Sequence, residues 1–300
     1  MFLKPRYPSR ELLILRSLAP RINLPANHRQ KLINMEKGLE GENYFDEKLK
    51  KLPEEAVVLC DLLFEINNTH FQIDTLLLLP DVVYLFEVKH YEGDYVIKND
   101  TWYNAAGYEI KNPLLQLKRN QSLLRQLFQK YRISLPVKAH LVFTNKNFYL
   151  YQVSYDLPIL FPFQIDGFLS QWFKEFPPHS QEAFLSAEKL KTFHIETSPF
   201  FQSPFYTFQE LKKGIRCPSC SSFLQLSKQT LVCSACGKKE SLEKGVVRNI
   251  GEWKLLFPEV PLTSSGVHEW CGLNIDKRRI RRVLHKHHTR VGFGRHSSYR

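Results

Sequence analysis

The chain predicts an α/β protein: a mixed central sheet flanked by helices, followed by a small four-cysteine ribbon and a small helical C-terminal module. Three observations carry this expectation. Apolar, β-rich runs at residues 56–66, 72–79, 82–89 and 137–144 are interleaved with helical periodicity at 35–51 and 113–131. Two CxxC pairs fall between Cys217 and Cys236. Residues 277–300 hold nine Lys/Arg and no acid, within a chain of net charge +12, so most of the excess sits in one segment.

A hydrophobic content of 43% with 13% aromatics supports a packed core and excludes a disordered chain. No apolar run approaches the roughly 18 residues of a membrane helix. The N-terminus is broken by Glu11 and Arg16 and lacks a signal-peptide core, so a cytoplasmic protein is expected.

Residues 1–35 are a basic segment with a short helical pattern around Leu12–Leu18 and no assigned chemistry. A domain over 36–175 follows. It opens with an amphipathic helix (Leu39, Tyr44/Phe45, Leu49) ended by Pro53 and a first buried strand at 56–66. The hairpin 72–79/82–89 follows, then a second hairpin in which Gly93-Asp94 turns toward Tyr95–Lys98. Asn112-Pro113 starts the next helix, with Leu114, Leu117, Leu124 and Leu127 on its buried side. Val137–Thr144 is another strand, and Gly167–Phe176 a further helix. Residues 176–209 read as an aromatic, Pro-rich connector. The aromatics of 160–209 suit packing on the sheet better than stacking on unpaired bases. The ribbon is placed at 210–245 and the basic helical module at 246–300.

Gln72–His90 (QIDTLLLLPDVVYLFEVKH) puts charge where a buried strand should have none. Pairing about Pro80-Asp81 sets Asp74 opposite Glu87, with Lys89 on the same face two residues on. Two carboxylates that close repel unless a cation lies between them. A divalent metal beside a lysine is the economical account, and it is the minimum equipment for metal-assisted phosphodiester hydrolysis. A purely structural ion pair would leave one carboxylate unmatched. His90 should point to the opposite face.

The spacing Cys217-x2-Cys220-x12-Cys233-x2-Cys236 specifies a closed tetrahedral zinc site, with Gly237 easing the second knuckle. Disulfides are the rival in an oxidising compartment. Cys60 and Cys271 fall in apolar patterns and read as core thiols. Lys212, Lys213, Arg216, Lys238 and Lys239 flank the ribbon and suit contact with nucleic acid. Thr263-Ser264-Ser265 opens a short helix closed by Gly272, and Asp276 caps a second from Lys277 to about His287. That helix carries Ile280, Val283 and Leu284 on one stripe. Arg278, Arg281, Arg282 and His285 line another, beside Lys277. A greasy face and a basic face on the second of two such helices read as helix-turn-helix-like DNA contact. Packing on the ribbon or on a partner protein is the competing account. His285, His287 and His288 suit partial positive charge near phosphate better than a metal cluster.

Residues 38–120 resemble the nuclease-related domain (NERD) family, a branch of the restriction-endonuclease-like superfamily. The matching pieces are Gly38-Leu39-Glu40-Gly41-Glu42 (GxxGE), Gln72-Ile73-Asp74 (QID), Glu87-Val88-Lys89 (ExK) with Gly93 and Trp102 after it, and Asn112-Pro113-Leu114-Leu115-Gln116 (NPxxQ). The resemblance implies a restriction-endonuclease-like mixed sheet flanked by helices. It makes Asp74 and Glu87 ligands of Mg²⁺ or Mn²⁺, Lys89 the residue that orients or activates water, Glu42 an accessory acid and Gln116 a supporting polar group. The expected protein is a metal-dependent deoxyribonuclease with structural Zn²⁺. Duplex DNA is the favoured partner, with RNA left open. The alternative is a catalytically silent DNA-binding or scaffold protein in DNA processing.

Overall fold

The computed structural model describes residues 1–53, 55–171, 181–201, 203–272, 275–293 and 297–300. In chain order the elements begin with β1 (Phe2–Lys4), α1 (Arg10–Leu18) and α2 (Ala26–Leu49), then β2 (Val57–Ile66), β3 (Thr69–Leu78) and β4 (Val83–Lys89). Next come β5 (Gly93–Lys98), β6 (Thr101–Asn104), β7 (Glu109–Ile110), α3 (Pro113–Tyr131), β8 (Val137–Phe143), β9 (Phe148–Tyr151), β10 (Ile159–Leu160), α4 (Ile165–Ser170) and α5 (Gln181–Thr192). The last third holds β11 (Gln225–Ser227), β12 (Thr230–Val232), β13 (Lys239–Ser241), α6 (Leu242–Leu256), α7 (Ser264–Cys271) and α8 (Lys277–His287). No described helix is long and apolar enough to cross a membrane. The chain divides into two compact units, Met1–Pro8 with Ile33–Phe200, and Ser9–Leu32 with Phe201–Arg300.

The first unit is built on a six-stranded sheet in the order β1-β2-β3-β4-β8-β10. β2, β3 and β4 are antiparallel neighbours, while β1–β2, β4–β8 and β8–β10 run parallel, so the sheet is mixed. β4 lies in its middle and is buried from Val83 to Val88, which explains its near-continuous apolar sequence. One face packs on α3 and α5 through Leu117, Leu124, Ala187 and Leu190. The other packs on α2 and α4 through Phe45, Leu49, Ile165 and Leu169. α3 starts as expected: Asn112 Oδ1 accepts the Leu114 N–H at 2.9 Å, with Pro113 in the first turn.

Three local expectations are corrected. The first helix extends back to Ala26 rather than beginning at Met35. Gly93-Asp94 is not a hairpin turn: Gly93 (φ 89°) starts β5, which joins a separate sheet of order β7-β6-β5-β9. The turn lies at Asn99-Asp100 (φ 49° and 62°), whose paired left-handed residues match the twist of the β5–β6 hairpin. The helix expected at Gly167–Phe176 occupies Ile165–Ser170, and residues 172–176 lie outside the described residues.

Within β2 and β3 the pairing keeps its register, Cys60 opposite Thr75 and Leu62 opposite Ile73, yet both strands swap faces between those pairs. Val57 and Leu59 share one core with Leu62, Phe64 and Ile66, and Phe71 and Ile73 share it with Leu76 and Leu78. Period-two alternation would forbid this. Asp61, at φ 51°, turns the strand over, and Asp74 lies opposite it. The reversal places the carboxylate site.

In the second unit, β11, β12 and β13 form the ribbon sheet. A single core joins it to the helices: Leu231 and Cys233 pack with Ile14 and Leu18 of α1, Val246 and Trp253 of α6, Trp270 of α7, and Ile280 and Leu284 of α8.

Candidate active site and metal centre

The site in the first unit forms where β3, β4, α2 and α3 meet the strand reversal. The β3–β4 ladder has Leu78 opposite Val83 and Thr75 opposite Phe86, the register expected about Pro80-Asp81. Just beyond the last pair, Asp74 Oδ2 accepts the Val88 N–H at 2.8 Å. Glu87 is 1% exposed; its Oε1 takes Lys89 Nζ at 2.7 Å and its Oε2 takes Asn120 Nδ2 at 3.3 Å. Lys89 Nζ also reaches Gln116 Oε1 at 3.2 Å. Glu42 comes from α2, where its Oε2 binds Arg6 Nη1 at 2.9 Å. Asp74, Glu87, Lys89, Glu42 and Gln116 are therefore gathered into one neighbourhood.

The electrostatics show what this packing costs. Burial, reinforced by repulsion from Asp74, pushes Glu87 up to about 7 against the pull of Lys89 and Asn120. Burial and Asp74 likewise push Glu42 up to about 8, with Arg6 opposing. Asp74 is raised too, chiefly by burial. Burial works to lower Lys89, but Glu87 and Asp74 outweigh it and hold the ammonium above its ordinary value. Four carboxylates (Glu42, Asp46, Asp74, Glu87) gather around two cations (Arg6, Lys89), and Asp61 adds further repulsion on Glu42 and Asp74.

Several residues of this neighbourhood escape the sequence reading. Asn120 lies four residues after Gln116, hence on the same face of α3, and also donates to the Gln72 carbonyl at 2.8 Å. Asp46 stands in the same relation to Glu42. Tyr91 lies close enough to Lys89 and Glu87 for their charges to act on its phenol, and it stacks on Tyr95 at 5.3 Å. Gly41 matters for space: a Cβ there would lie 2.5 Å from His90 Cβ and 2.6 Å from Thr144 Oγ1. His90 is expected on the face opposite Glu87; its Cβ lies against Gly41 of α2 and its Nδ1 is 2.9 Å from Thr144 Oγ1. Arg6 carries no local signal at all.

The cysteines of the second unit form a different centre. Cys217 Sγ and Cys236 Sγ are 3.6 Å apart, Cys220 Sγ and Cys233 Sγ 3.4 Å, and all four sulfurs lie within 4.8 Å of one another as free thiols. These separations are far beyond a disulfide bond and near the edge of a tetrahedron around one zinc ion. Each knuckle closes on a backbone bond, Ser221 N–H to the Cys217 carbonyl and Gly237 N–H to the Cys233 carbonyl, both 3.0 Å. Gly237 (φ 72°) fulfils its expected role, and Ser221 adopts the same left-handed turn at φ 61°. Soft sulfur donors with this spacing fit zinc. Cys60 and Cys271 are fully buried apart from this centre, and burial pushes both thiols up to about 12.

On α8, Lys277, Arg278, Arg281, Arg282 and His285 are exposed, while Ile280, Val283 and Leu284 are buried. Among the described residues, none of the four Lys/Arg in that set has an ion-pair partner, whereas Lys286 and His287 both bind Glu243. The three histidines diverge: His285 packs on Tyr299, and His288 Nδ1 lies 3.2 Å from the Arg300 carbonyl. Two of the cations flanking the ribbon turn inward. Arg216 pairs with Glu252 at 2.8 Å, and Lys213 bonds the Leu211 carbonyl at 2.8 Å. Lys238 and Lys239 stay exposed.

Residues 37–144 match the family model of the nuclease-related domain. The matched segment contains every residue of the carboxylate site except Arg6; the cysteine centre and α8 lie beyond it. No curated protein and no solved structure matches the chain.

Proposed function

We propose that this chain is a Mg²⁺- or Mn²⁺-dependent nuclease that hydrolyses DNA phosphodiester bonds at the Asp74–Glu87–Lys89 site. The zinc ribbon and the basic face of α8 would supply much of the affinity for DNA. The observation that carries this reading is the convergence of the buried Asp74 and Glu87 carboxylates at the end of a buried central strand, with Lys89 Nζ 2.7 Å from Glu87 Oε1 and Asp74 Oδ2 2.8 Å from the Val88 nitrogen. The donors there are carboxylate oxygens, to which the Val88 carbonyl would add, and such a set suits a hard divalent ion rather than zinc. When bound, such an ion lowers the pKa of a coordinated water and offsets charge growing on the phosphate.

Asp74 and Glu87 would hold the ion, and Glu42 would reach it through water. Lys89, whose Nζ sits 2.7 Å from Glu87 Oε1, would donate to the attacking water or to the pentacovalent phosphate. Gln116 fixes the ammonium from α3. Arg278, Arg281 and Arg282 would meet phosphates, with duplex DNA favoured over RNA as the partner.

The test is cleavage of plasmid and linear DNA with Mg²⁺ or Mn²⁺. Asp74→Ala, Glu87→Ala and Lys89→Ala should each lower the rate by roughly 100-fold or more. Undiminished cleavage in all three removes the assignment.

One observation favours a second reading, a catalytically silent DNA-binding or scaffold protein. Both oxygens of Glu87 are already engaged by Lys89 and Asn120. Among the described residues only the four cysteines bring three or more ligand groups within 4.8 Å of one another. Calorimetry separates the two: a nuclease should bind Mn²⁺ and lose that binding in Asp74→Asn, whereas a silent scaffold should bind none even with DNA present.

A further inference from the structure

We infer that Arg6 is a positioning residue for the divalent-cation ligands, so that the first eight residues complete a site otherwise confined to residues 42–120. The inference rests on the metal-site reading above and extends it to a part of the chain that the family match does not reach.

The Arg6 side chain is 3% exposed and all three of its nitrogens are engaged. Nε meets Asp46 Oδ2 at 2.9 Å, and Nη2 meets Asp46 Oδ1 at 3.3 Å, so Asp46 anchors the guanidinium as a fork. The outward donors then reach functional residues. Nη1 holds Glu42 Oε2 at 2.9 Å, while Nη2 holds the Asp74 carbonyl at 2.8 Å and Thr75 Oγ1 at 3.0 Å. One planar cation thus ties α2 to β3 at the strand reversal that aims Asp74. β1 delivers it there. Phe2 pairs with Val58 on β2, and Lys4 Nζ grips the Cys60 and Asp61 carbonyls, each at 2.7 Å. Lys4 clamps the reversal from β2, and Arg6 clamps it from β3.

Simple neutralisation of Asp46 would need only the Asp46 contacts. The bonds to the Asp74 backbone and to one Glu42 oxygen do something else: they fix the direction of the Asp74 side chain and the rotamer of Glu42. A lysine preserves the charge but cannot span these partners.

The experiment uses the full chain with zinc in the cysteine centre. It measures Mn²⁺ affinity by calorimetry, alongside far-UV circular dichroism and the metal-free melting temperature. Outer residues that orient metal ligands typically matter by about 10- to 100-fold in affinity. Arg6→Lys should stay folded and bind Mn²⁺ at least about tenfold more weakly. Asp46→Asn, which loosens the anchor without emptying the site, should also weaken binding and serves as the readout if Arg6→Lys does not fold. Wild-type Mn²⁺ affinity in a folded Arg6→Lys, or in Asp46→Asn, overturns the role of Arg6 whatever the melting temperature does. No Mn²⁺ binding by the wild-type chain overturns instead the metal-site reading beneath it.

Discussion

At the residue scale, the carboxylate site trades stability for charge. Glu87 and Glu42 hold their protons to about 7 and about 8, well above the ordinary 4.5. The native state therefore binds more protons than the unfolded chain between about pH 4.5 and pH 8. Stability of the metal-free protein should fall as pH rises through that window. Glu87→Gln should flatten the fall and stabilise the metal-free protein by about 1–2 kcal/mol at pH 8. It should also abolish Mn²⁺ binding. Thermal melts at pH 5 and pH 8, with and without Mn²⁺, check both halves; a variant less stable than wild type at pH 8 contradicts the strain. Asp74, Glu87 and Lys89 were legible because a two-residue period and one turn suffice to align them. Arg6 was not, because its partners lie 36 to 69 residues away and no local pattern pairs them.

At the element scale, the two glycines of the GxxGE stretch on α2 separate cleanly. A Cβ at Gly38 meets nothing within 4 Å, whereas at Gly41 it collides with His90 Cβ, an atom with no freedom to move aside. Gly38→Ala should stabilise by about 0.5–1 kcal/mol through helix propensity. Gly41→Ala should destabilise by about 1–3 kcal/mol, as overpacking does. Chemical denaturation of both variants tests the pair, and equal effects would mean that α2 does not need this close approach to β4.

α6 was missed for a related reason. Gly245 and Gly251 weaken its helical pattern, yet a Cβ at Gly245 would lie 2.2 Å from Leu231 Cδ1. Here the glycine admits the ribbon to the helix. For α8, whose period was plain, Arg281→Ala and Arg282→Ala should each reduce the salt slope of DNA binding by about 1 if each cation meets one phosphate. Fluorescence anisotropy at several salt concentrations measures it, and an unchanged slope would assign that face to something other than DNA.

At the scale of the whole molecule, each unit has its own core, and the proposed Mn²⁺ site and the four-cysteine centre fall in different units. In the second unit Arg21 is buried among residues distant in sequence. It donates to both Glu252 oxygens (3.1 and 2.8 Å) and the Gly214 carbonyl, and lies 3.9 Å over the Trp270 ring. The ribbon strands of three residues each cannot close that core without the knuckles. Cys233→Ser should therefore lower the melting transition of the second unit and leave Mn²⁺ binding by the first unchanged. Calorimetry on the full chain reads both, and loss of Mn²⁺ binding with the zinc would refute separate metal chemistries.

Features set by neighbours along the chain can be read from the amino-acid order alone. These include the hairpin register, the cysteine spacing, the helix faces and the convergence of Asp74, Glu87 and Lys89. Strand alternation, helical period and knuckle geometry all act within a few residues. Tertiary structure alone decided that β2 and β3 reverse faces at Asp61 and Asp74, that Arg6 and Asn120 close the carboxylate site, and that α1 packs with the ribbon and the C-terminal helices. Those outcomes depend on which buried charges and apolar faces find each other across the fold, a choice made by desolvation and packing rather than by local pattern.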